Sequence, residues 1–386
     1  MRFLHTSDWH VGRQIRGRPR IDEFAAVLDE VAGIAKQEQV DVVLVSGDLF
    51  DQRAVSPEAE KLVFETLAKL AVERIPVVVI PGNHDLAARW DALRSLLDPL
   101  GVRAVPFVRP PAEGSLVEVP SRDGRERALV ACVPFVPERM YGSAAALFAG
   151  SEKWAQDYAQ GLGDLLSAMA EAFQEGAVNV LMAHLFAAGV ELGAGENPLT
   201  VTMEYAVPPS RFPGTASYIA LGHVHKPQAV AGSPAPARYA GSLLQLDFGE
   251  REQRKSVTIC EVSAGKPARI GEVALRSGRA LVDVAGTLEE LRAQARVGDA
   301  WLRVTVRTAA PVPGIADDVR QILPNAVEVR PEFPLLDEQT AHESLMGLAP
   351  RELFLRYYRE KRGAEPVAEL LDAFDEVQAA VRGESA

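Results

Sequence analysis

Two kinds of hydrophobic pattern alternate along the first eighty residues. Residues 21–38 place Ile21, Phe24, Val27, Leu28, Val31 and Ile34 at helical spacing. Asp41 to Ser46 instead contains the run Val42-Val43-Leu44-Val45, and Val77-Val78-Val79-Ile80 repeats it. Unbroken β-branched runs predict strands buried on both faces. Residues 57–73 predict a second helix, with Pro57 in its first turn. With Met1–Thr6 as an opening strand, the order is β-α-β-α-β. That order predicts parallel strands with helices on the sheet faces.

The pattern continues less regularly. Residues 87–98 predict a short helix, 102–136 alternate as strands around a turn at Ser121-Arg122-Asp123-Gly124, and 154–174 predict a helix. Val178–Met182 and Tyr218–Leu221 are apolar strands, and Pro227 stops the second. Arg238–Ser242 and 257–263 complete a first domain, 1–265. After strand and turn at Lys266–Ala280, Thr287–Arg296 predicts a helix whose Thr287 and Glu290 have capping-box spacing. An alternating strand at Trp301–Arg307, a helix at 314–323 and a strand at 326–330 make a small α+β unit, 266–334. The remainder, 335–386, reads as a linker followed by amphipathic helices at 350–362 and 366–383. The first presents Leu353, Phe354, Tyr357 and Tyr358. The second presents Val367, Leu370, Leu371, Phe374 and Val377.

Composition narrows the class. The chain has 386 residues, 47% hydrophobic and 24% charged, which is ordinary for a globular protein of two or three domains. Its two cysteines, Cys132 and Cys260, predict no disulfide framework and fit a reducing compartment. No apolar stretch is long enough to span a membrane, and the N-terminus lacks the apolar region of a removable signal. The formal net charge of −12 argues against a protein coated in basic surface. No Gly-x-x-x-x-Gly-Lys-Ser/Thr loop is present, so any dependence on ATP must come from a partner.

The chemistry collects at the ends of the predicted strands. Five of the seven histidines fall in an ordered series: Asp8-x-His10, Gly47-Asp48, Gly82-Asn83-His84-Asp85, His184, and Gly222-His223-x-His225. Ligands of open α/β sheets sit beyond the carboxyl ends of the strands, where these motifs lie. Asp8 and His10, completed by His225, can hold one ion; Asn83, His184 and His223 can hold a second. The carboxylate of Asp48 can bridge the two. Mixed nitrogen and oxygen donors suit Mn²⁺, Fe²⁺ or Zn²⁺, and the absence of cysteine argues against a closed structural zinc site. A two-ion centre can clamp a phosphoryl group and activate the attacking water. His84 is then free to assist a phosphate or leaving oxygen, its other ring nitrogen oriented by a carboxylate, either Asp85 or Asp51. His5 reads as packing, His342 as surface, and Asp22 and Glu23 as solvated helix charges. Trp9 is either core or a wall of the substrate groove.

The stretches His5-Thr6-Ser7-Asp8-Trp9-His10-Val11-Gly12, Val45-Ser46-Gly47-Asp48-Leu49-Phe50-Asp51, Pro81-Gly82-Asn83-His84-Asp85 and Leu221-Gly222-His223-Val224-His225 resemble the calcineurin-like metallophosphoesterase superfamily. The first two together are more specific. They are similar to the SbcD family, the nuclease subunits of bacterial SbcCD complexes. The resemblance implies a β-sandwich flanked by helices, a small α+β capping domain and a C-terminal helical hairpin. It implies a Mn²⁺-dependent DNA nuclease, a 3′→5′ exonuclease on double strands and an endonuclease on single strands and hairpins. Such an enzyme serves DNA repair, recombination and replication in the cytoplasm, associated with the nucleoid. By the same resemblance Asp8, His10, Asp48 and His225 surround one Mn²⁺, Asp48, Asn83, His184 and His223 the other, and His84 is catalytic. The hairpin docks on an SbcC-type coiled-coil ATPase, and the subunits form a homodimer within a heterotetramer. The helix at 87–98, with Trp90, Leu93, Leu96 and Leu97, is either that dimer surface or a cover for the sheet. The competing reading is a small-molecule metallophosphoesterase using the same ligands, against which the capping unit and the apolar hairpin weigh. The acidic balance suggests that grip on DNA comes mainly from the assembled complex, although Arg351, Arg356, Arg359, Lys361 and Arg362 cluster near the end.

Overall fold

Each central strand divides its residues between two cores, and this decides the layers. The computed structural model describes residues 1–137, 158–193, 206–293, 298–334, 348–362 and 365–382. The expected start of a helix at 154, the linker at 335–347 and His342 lie outside the described residues. In chain order the elements are β1 (Arg2–Thr6), α1 (Ile21–Gln37), β2 (Val42–Ser46), α2 (Pro57–Val72), β3 (Val77–Ile80), α3 (Ala87–Leu97) and β4 (Val102–Ala104). Next come β5 (Leu116–Pro120), β6 (Arg127–Val133), α4 (Tyr158–Ala170), β7 (Val178–His184), β8 (Tyr218–Gly222), β9 (Gln228–Ala229), β10 (Ala237–Tyr239), β11 (Ser256–Glu261) and β12 (Arg269–Ala274). The chain ends with β13 (Leu281–Gly286), α5 (Leu288–Ala293), β14 (Trp301–Arg307), α6 (Ile315–Ile322), β15 (Ala326–Glu332), α7 (Pro350–Arg362) and α8 (Ala368–Arg382).

Two sheets face each other, in the orders β12-β11-β1-β2-β3-β4 and β5-β6-β7-β8-β10-β9. The central pairs β1–β2, β2–β3, β6–β7 and β7–β8 are parallel. From the first sheet, Phe3, Val42, Leu44, Val78 and Ile80 point inward. They meet Val130, Cys132, Val180, Met182, Tyr218 and Ala220 of the second. Alternate residues point outward. Leu4, Val43, Val45, Val77 and Val79 pack under α1, α2 and α3, and Leu181, Ala183, Ile219 and Leu221 pack under α4. This is the period of two expected of a strand, with apolar residues required on both faces. The α/β reading with helices on the sheet faces is the architecture found. Ser56 caps α2, its side chain accepting from the Ala59 amide at 3.3 Å.

Several sequence expectations resolve here. Trp9 is fully buried and donates to Thr6 Oγ1 at 3.0 Å, so it is core and not a groove wall. In α3, Trp90 and Leu97 are buried in the outer core against the sheet, whereas Leu96 is 67% exposed. Glu23 is not a solvated helix charge. Its carboxylate accepts from the Arg20 guanidinium, from the Arg279 amide at 2.8 Å and from Trp301 Nε1 at 2.8 Å, so it ties α1 to β14. Strand β12 pairs along β11 from Ser256–Ala274 to Glu261–Arg269, which carries the first sheet past residue 265.

The small unit is a three-stranded sheet, β13-β14-β15, with α5 and α6 packed over Val284, Leu302, Val304 and Val306. Thr287 and Glu290 make the reciprocal capping box at the start of α5, with bonds of 2.8 and 3.3 Å. The sheet meets the larger body at a cluster of Ile15, Phe248 and Leu281. Arg303 lies over the Phe248 ring at 4.9 Å. By contacts the chain forms two compact units: Met1–Val306 with Ile315–Arg330, and Arg307–Gly314 with Pro331–Ala386. The second unit contains the α7–α8 hairpin, closed by Phe354 stacked on Phe374 at 4.4 Å. Tyr357, Val367 and Val377 are each at least 60% exposed on it.

Candidate metal centre

The site lies where the carboxyl ends of β1, β2, β3, β7 and β8 converge. Four of its residues bend the chain into the left-handed region to turn inward: Asp8 at φ 51°, His10 at 48°, Asp48 at 54° and His223 at 104°. Such backbone is costly for residues other than glycine and tends to persist where a site requires it. Glycines admit the close approaches. A Cβ on Gly82 would stand 2.2 Å from Asp48 Oδ1, and one on Gly222 would stand 1.9 Å from the Ser46 carbonyl oxygen.

All seven residues expected as ligands come together. Donor atoms of Asp8, His10 and His225 lie within 4.8 Å of one another, and so do those of Asp48, His184 and His223. Asp48 stands between the groups: its Oδ2 is 3.7 Å from His10 Nε2 and 3.4 Å from His184 Nε2. Asn83 Oδ1 joins the second group, 3.0 Å from His184 Nε2 and 2.9 Å from His223 Nδ1. His184 Nδ1 donates to the Ser46 carbonyl at 2.8 Å, which leaves Nε2 as the donor facing Asp48. The Asp8 carboxylate accepts from the His223 amide at 3.0 Å.

His10 carries the sharpest test of fit. It is buried, yet neither ring nitrogen has a hydrogen-bond partner; Asp51 Oδ1 is 3.5 Å from Nδ1. A buried polar nitrogen without a partner costs free energy. A divalent cation taking the Nε2 lone pair would remove the cost at that nitrogen, and the oxygen and imidazole donors around it suit such an ion.

The electrostatics agree. Burial alone would raise the Asp48 carboxyl, but His184, His10 and His84 more than reverse it and hold it well below the usual carboxylate range. Burial opposes charge on His184, yet Asp48 beside it pushes the imidazole up to about 9. A proton held so firmly against a carboxylate marks a place that a cation can take over. Asp85 is pushed up to about 6, first by burial and then by the charge of Asp48.

His84 is brought to the same place, but no carboxylate orients it. Its Nδ1 lies 2.6 Å from the Asp51 backbone carbonyl, and its amide donates to Asp48 Oδ1 at 2.8 Å. The Asp85 carboxylate is spent on the amides of Leu49, Phe50 and Gly82, and that of Asp51 on Arg13 at 3.2 Å. A cleft of about 400 Å³, lined by Arg13, Asp51, Gln52, Arg53, Asn83 and His84, opens beside this histidine.

Sequence reasoning missed Glu250. It is fully buried, and its Oε1 lies 3.0 Å from His225 Nδ1. Its other oxygen pairs with the buried Lys255 at 2.8 Å. Burial alone would raise this carboxyl, but Lys255 and His225 hold it well below the usual range. Glu250 stands in the run Phe248-Gly249-Glu250-Arg251-Glu252-Gln253-Arg254-Lys255, which reads as a solvated turn.

Comparison with known proteins agrees with this geometry. Residues 1–227 match the model of the calcineurin-like phosphoesterases. Residues 277–362 match a model described as the Type 5 capsule protein repressor C-terminal domain. The SbcD component of the nuclease SbcCD from Bacillus subtilis is 31% identical over 394 aligned positions, covering 100% of both chains. Its namesake from Rhodobacter capsulatus is 34% identical, covering 70% of this chain and 68% of its own. That from Staphylococcus epidermidis is 27% identical, covering 75% and 74%. The chain belongs to the calcineurin-like phosphoesterases and, among them, to the SbcD family of SbcCD nuclease components.

Proposed function

We propose that this chain is the nuclease subunit of an SbcCD complex, a metal-dependent phosphodiesterase acting on DNA. The observation that carries the reading is Asp48 standing between two complete donor sets at the meeting point of five strand ends. Asp8, His10 and His225 would hold one ion, and Asn83, His184 and His223 the other, with Asp48 shared. The ions, Mn²⁺ in this reading, would supply positive charge to the phosphate oxygens and lower the pKa of a water molecule.

The chain's own contribution is positioning and proton handling. His84 would face the leaving or a non-bridging oxygen across the cleft that Arg13 and Arg53 also line. The Asp51 carbonyl can only accept, so Nδ1 keeps its hydrogen in both protonation states of the ring. The proton that comes and goes is therefore the one on Nε2, as a general acid needs. The two guanidinium groups would draw a phosphate backbone toward that histidine.

The remaining parts follow the family. Residues 1–265 would form the nuclease domain, 266–334 the capping domain, and 335–386 the linker and helices that dock on an SbcC-type ATPase. Exposed Tyr357, Val367 and Val377 on the hairpin support that docking. No helix among the described residues is long and apolar enough to cross a membrane. By the family reading, the enzyme would be cytoplasmic and nucleoid-associated and would work as a homodimer within a heterotetramer. The net charge of −12 supports a DNA grip supplied mainly by the assembled complex. Equally strong duplex binding with and without the ATPase partner would refute that point.

The test compares labelled duplex DNA, hairpin DNA and a nucleoside monophosphate as substrates, each with Mn²⁺. The reading expects 3′→5′ shortening of the duplex, opening of the hairpin and little release of phosphate from the monoester. Rapid monoester hydrolysis with intact DNA would instead favour a small-molecule phosphoesterase.

A further inference from the structure

The two donor sets are aimed by different means. His184 is turned by a neutral backbone carbonyl, that of Ser46, at 2.8 Å. His225 is turned by a carboxylate, Glu250 Oε1, at 3.0 Å. Glu250 lies beyond the residues matched by the calcineurin-like model, which end at 227. We propose that Glu250, held by Lys255, is a positioning residue that fixes the tautomer and direction of His225. It thereby sets the affinity of the Asp8–His10–His225 ion separately from that of its neighbour. The inference deepens the dimetal reading above and rests on it.

The geometry allows Glu250 little other purpose. A carboxylate accepting at Nδ1 keeps the hydrogen there and leaves Nε2 as a lone pair toward Asp8 and His10. Lys255 anchors the arrangement at both ends. Its Nζ donates to Glu250 Oε2 at 2.8 Å, to Ser242 Oγ at 2.8 Å and to the carbonyl oxygen of His225 itself at 3.0 Å. Glu250 Oε2 also accepts from the Leu246 amide at 3.0 Å. Both side chains are buried, at 0% and 6% exposure. Removing two charges from water is unfavourable, and such a pair seldom stabilises a fold better than apolar packing would. Its directionality is what apolar packing cannot supply. Phe248, in the same short turn, is fully buried and clusters with Ile15 and Leu281.

The test is calorimetric titration of Mn²⁺ into the full-length, metal-stripped chain. Wild type is expected to take up two ions. Glu250→Gln should keep one near wild-type affinity and bind the other roughly 10- to 100-fold more weakly. Because the substitution strands Lys255, the double variant Glu250→Gln with Lys255→Met is measured beside it. Its thermal stability should recover relative to the single variant while the weak site stays weak. Two tight sites in either variant would overturn the proposal, as would equal weakening of both ions in the double variant. Failure of the wild type to bind two ions would count against the dimetal reading itself, so the two failures are distinguishable.

Discussion

The Nδ1 atom of His84 lies 2.6 Å from the carbonyl oxygen of Asp51, while the amide of His84 holds Asp48 Oδ1 at 2.8 Å. One residue is thus tied through its ring to the loop after β2, and through its backbone to the carboxylate shared by both donor sets. The ring can serve the substrate without being a ligand. His84→Ala should keep both ions and lose roughly 10²- to 10⁴-fold in cleavage rate, the usual worth of a positioned acid or base. Metal stoichiometry measured beside the turnover of duplex DNA decides it. Undiminished turnover would remove His84 from the chemistry.

Asp48 makes the opposite prediction. Its Oδ2 faces His10 on one side and His184 on the other. Asp48→Ala should therefore weaken both ions together, whereas Asn83→Ala should mainly affect the His184–His223 set. Mn²⁺ titration of the two variants separates these outcomes. An Asp48 variant that still bound one ion at wild-type affinity would show that the carboxylate belongs to one set only.

The residues proposed as ligands were legible as a converging set because chemistry and architecture coincide in them. Asp8, Asp48, Asn83, His184 and His223 each stand at the end of an apolar strand, and parallel strands bring their ends to one side of a sheet. The facing of the two sheets was less visible. Runs such as Val42–Val45 show that both faces are buried but not by what. For His84 the sequence offered Asp51 among two candidates but through its carboxylate, because a backbone carbonyl bears no signature in a sequence. Glu250 and Lys255 escaped for a different reason: in a polar turn, a buried ion pair and two solvated charges are written with the same letters. Glu23 misled in the same way, since its partner Trp301 stands 278 positions later.

The approach of the two sheets at the site leaves no room for a side chain on Gly222. A Cβ there would lie 1.9 Å from the Ser46 carbonyl oxygen and 3.0 Å from His184 Nδ1. Backbone cannot yield as a flexible side chain can, so Gly222→Ala should destabilise the fold by at least about 1–3 kcal/mol. It should also displace His184 from the carbonyl that orients it. Urea unfolding and Mn²⁺ titration are expected to worsen together. A Gly222→Ala protein with unchanged stability and metal uptake would mean that β2 and β8 separate more easily than this packing implies.

His5 provides a response to pH that is independent of activity. It is buried between the sheets, with Nδ1 2.8 Å from Tyr218 Oη and Nε2 3.1 Å from Ser46 Oγ. Burial, aided by the charge of Arg238, pushes its pKa down to about 3. An unfolded chain takes up a proton at this histidine near the ordinary value of about 6.5, and the folded chain does not until far lower. The contribution is thus complete above pH 6.5 and is lost as pH falls toward 3, because the unfolded state gains the proton first. Between pH 7 and pH 5 this amounts to about 2 kcal/mol from one group. His184, whose pKa is raised, acts in the opposite direction, so only a difference between proteins isolates His5. His5→Asn should be less stable than wild type at pH 7, and that gap should shrink by about 2 kcal/mol at pH 5. Urea unfolding of both metal-stripped proteins at the two pH values measures it. A constant gap would show that the buried imidazole already carries its proton in the folded chain.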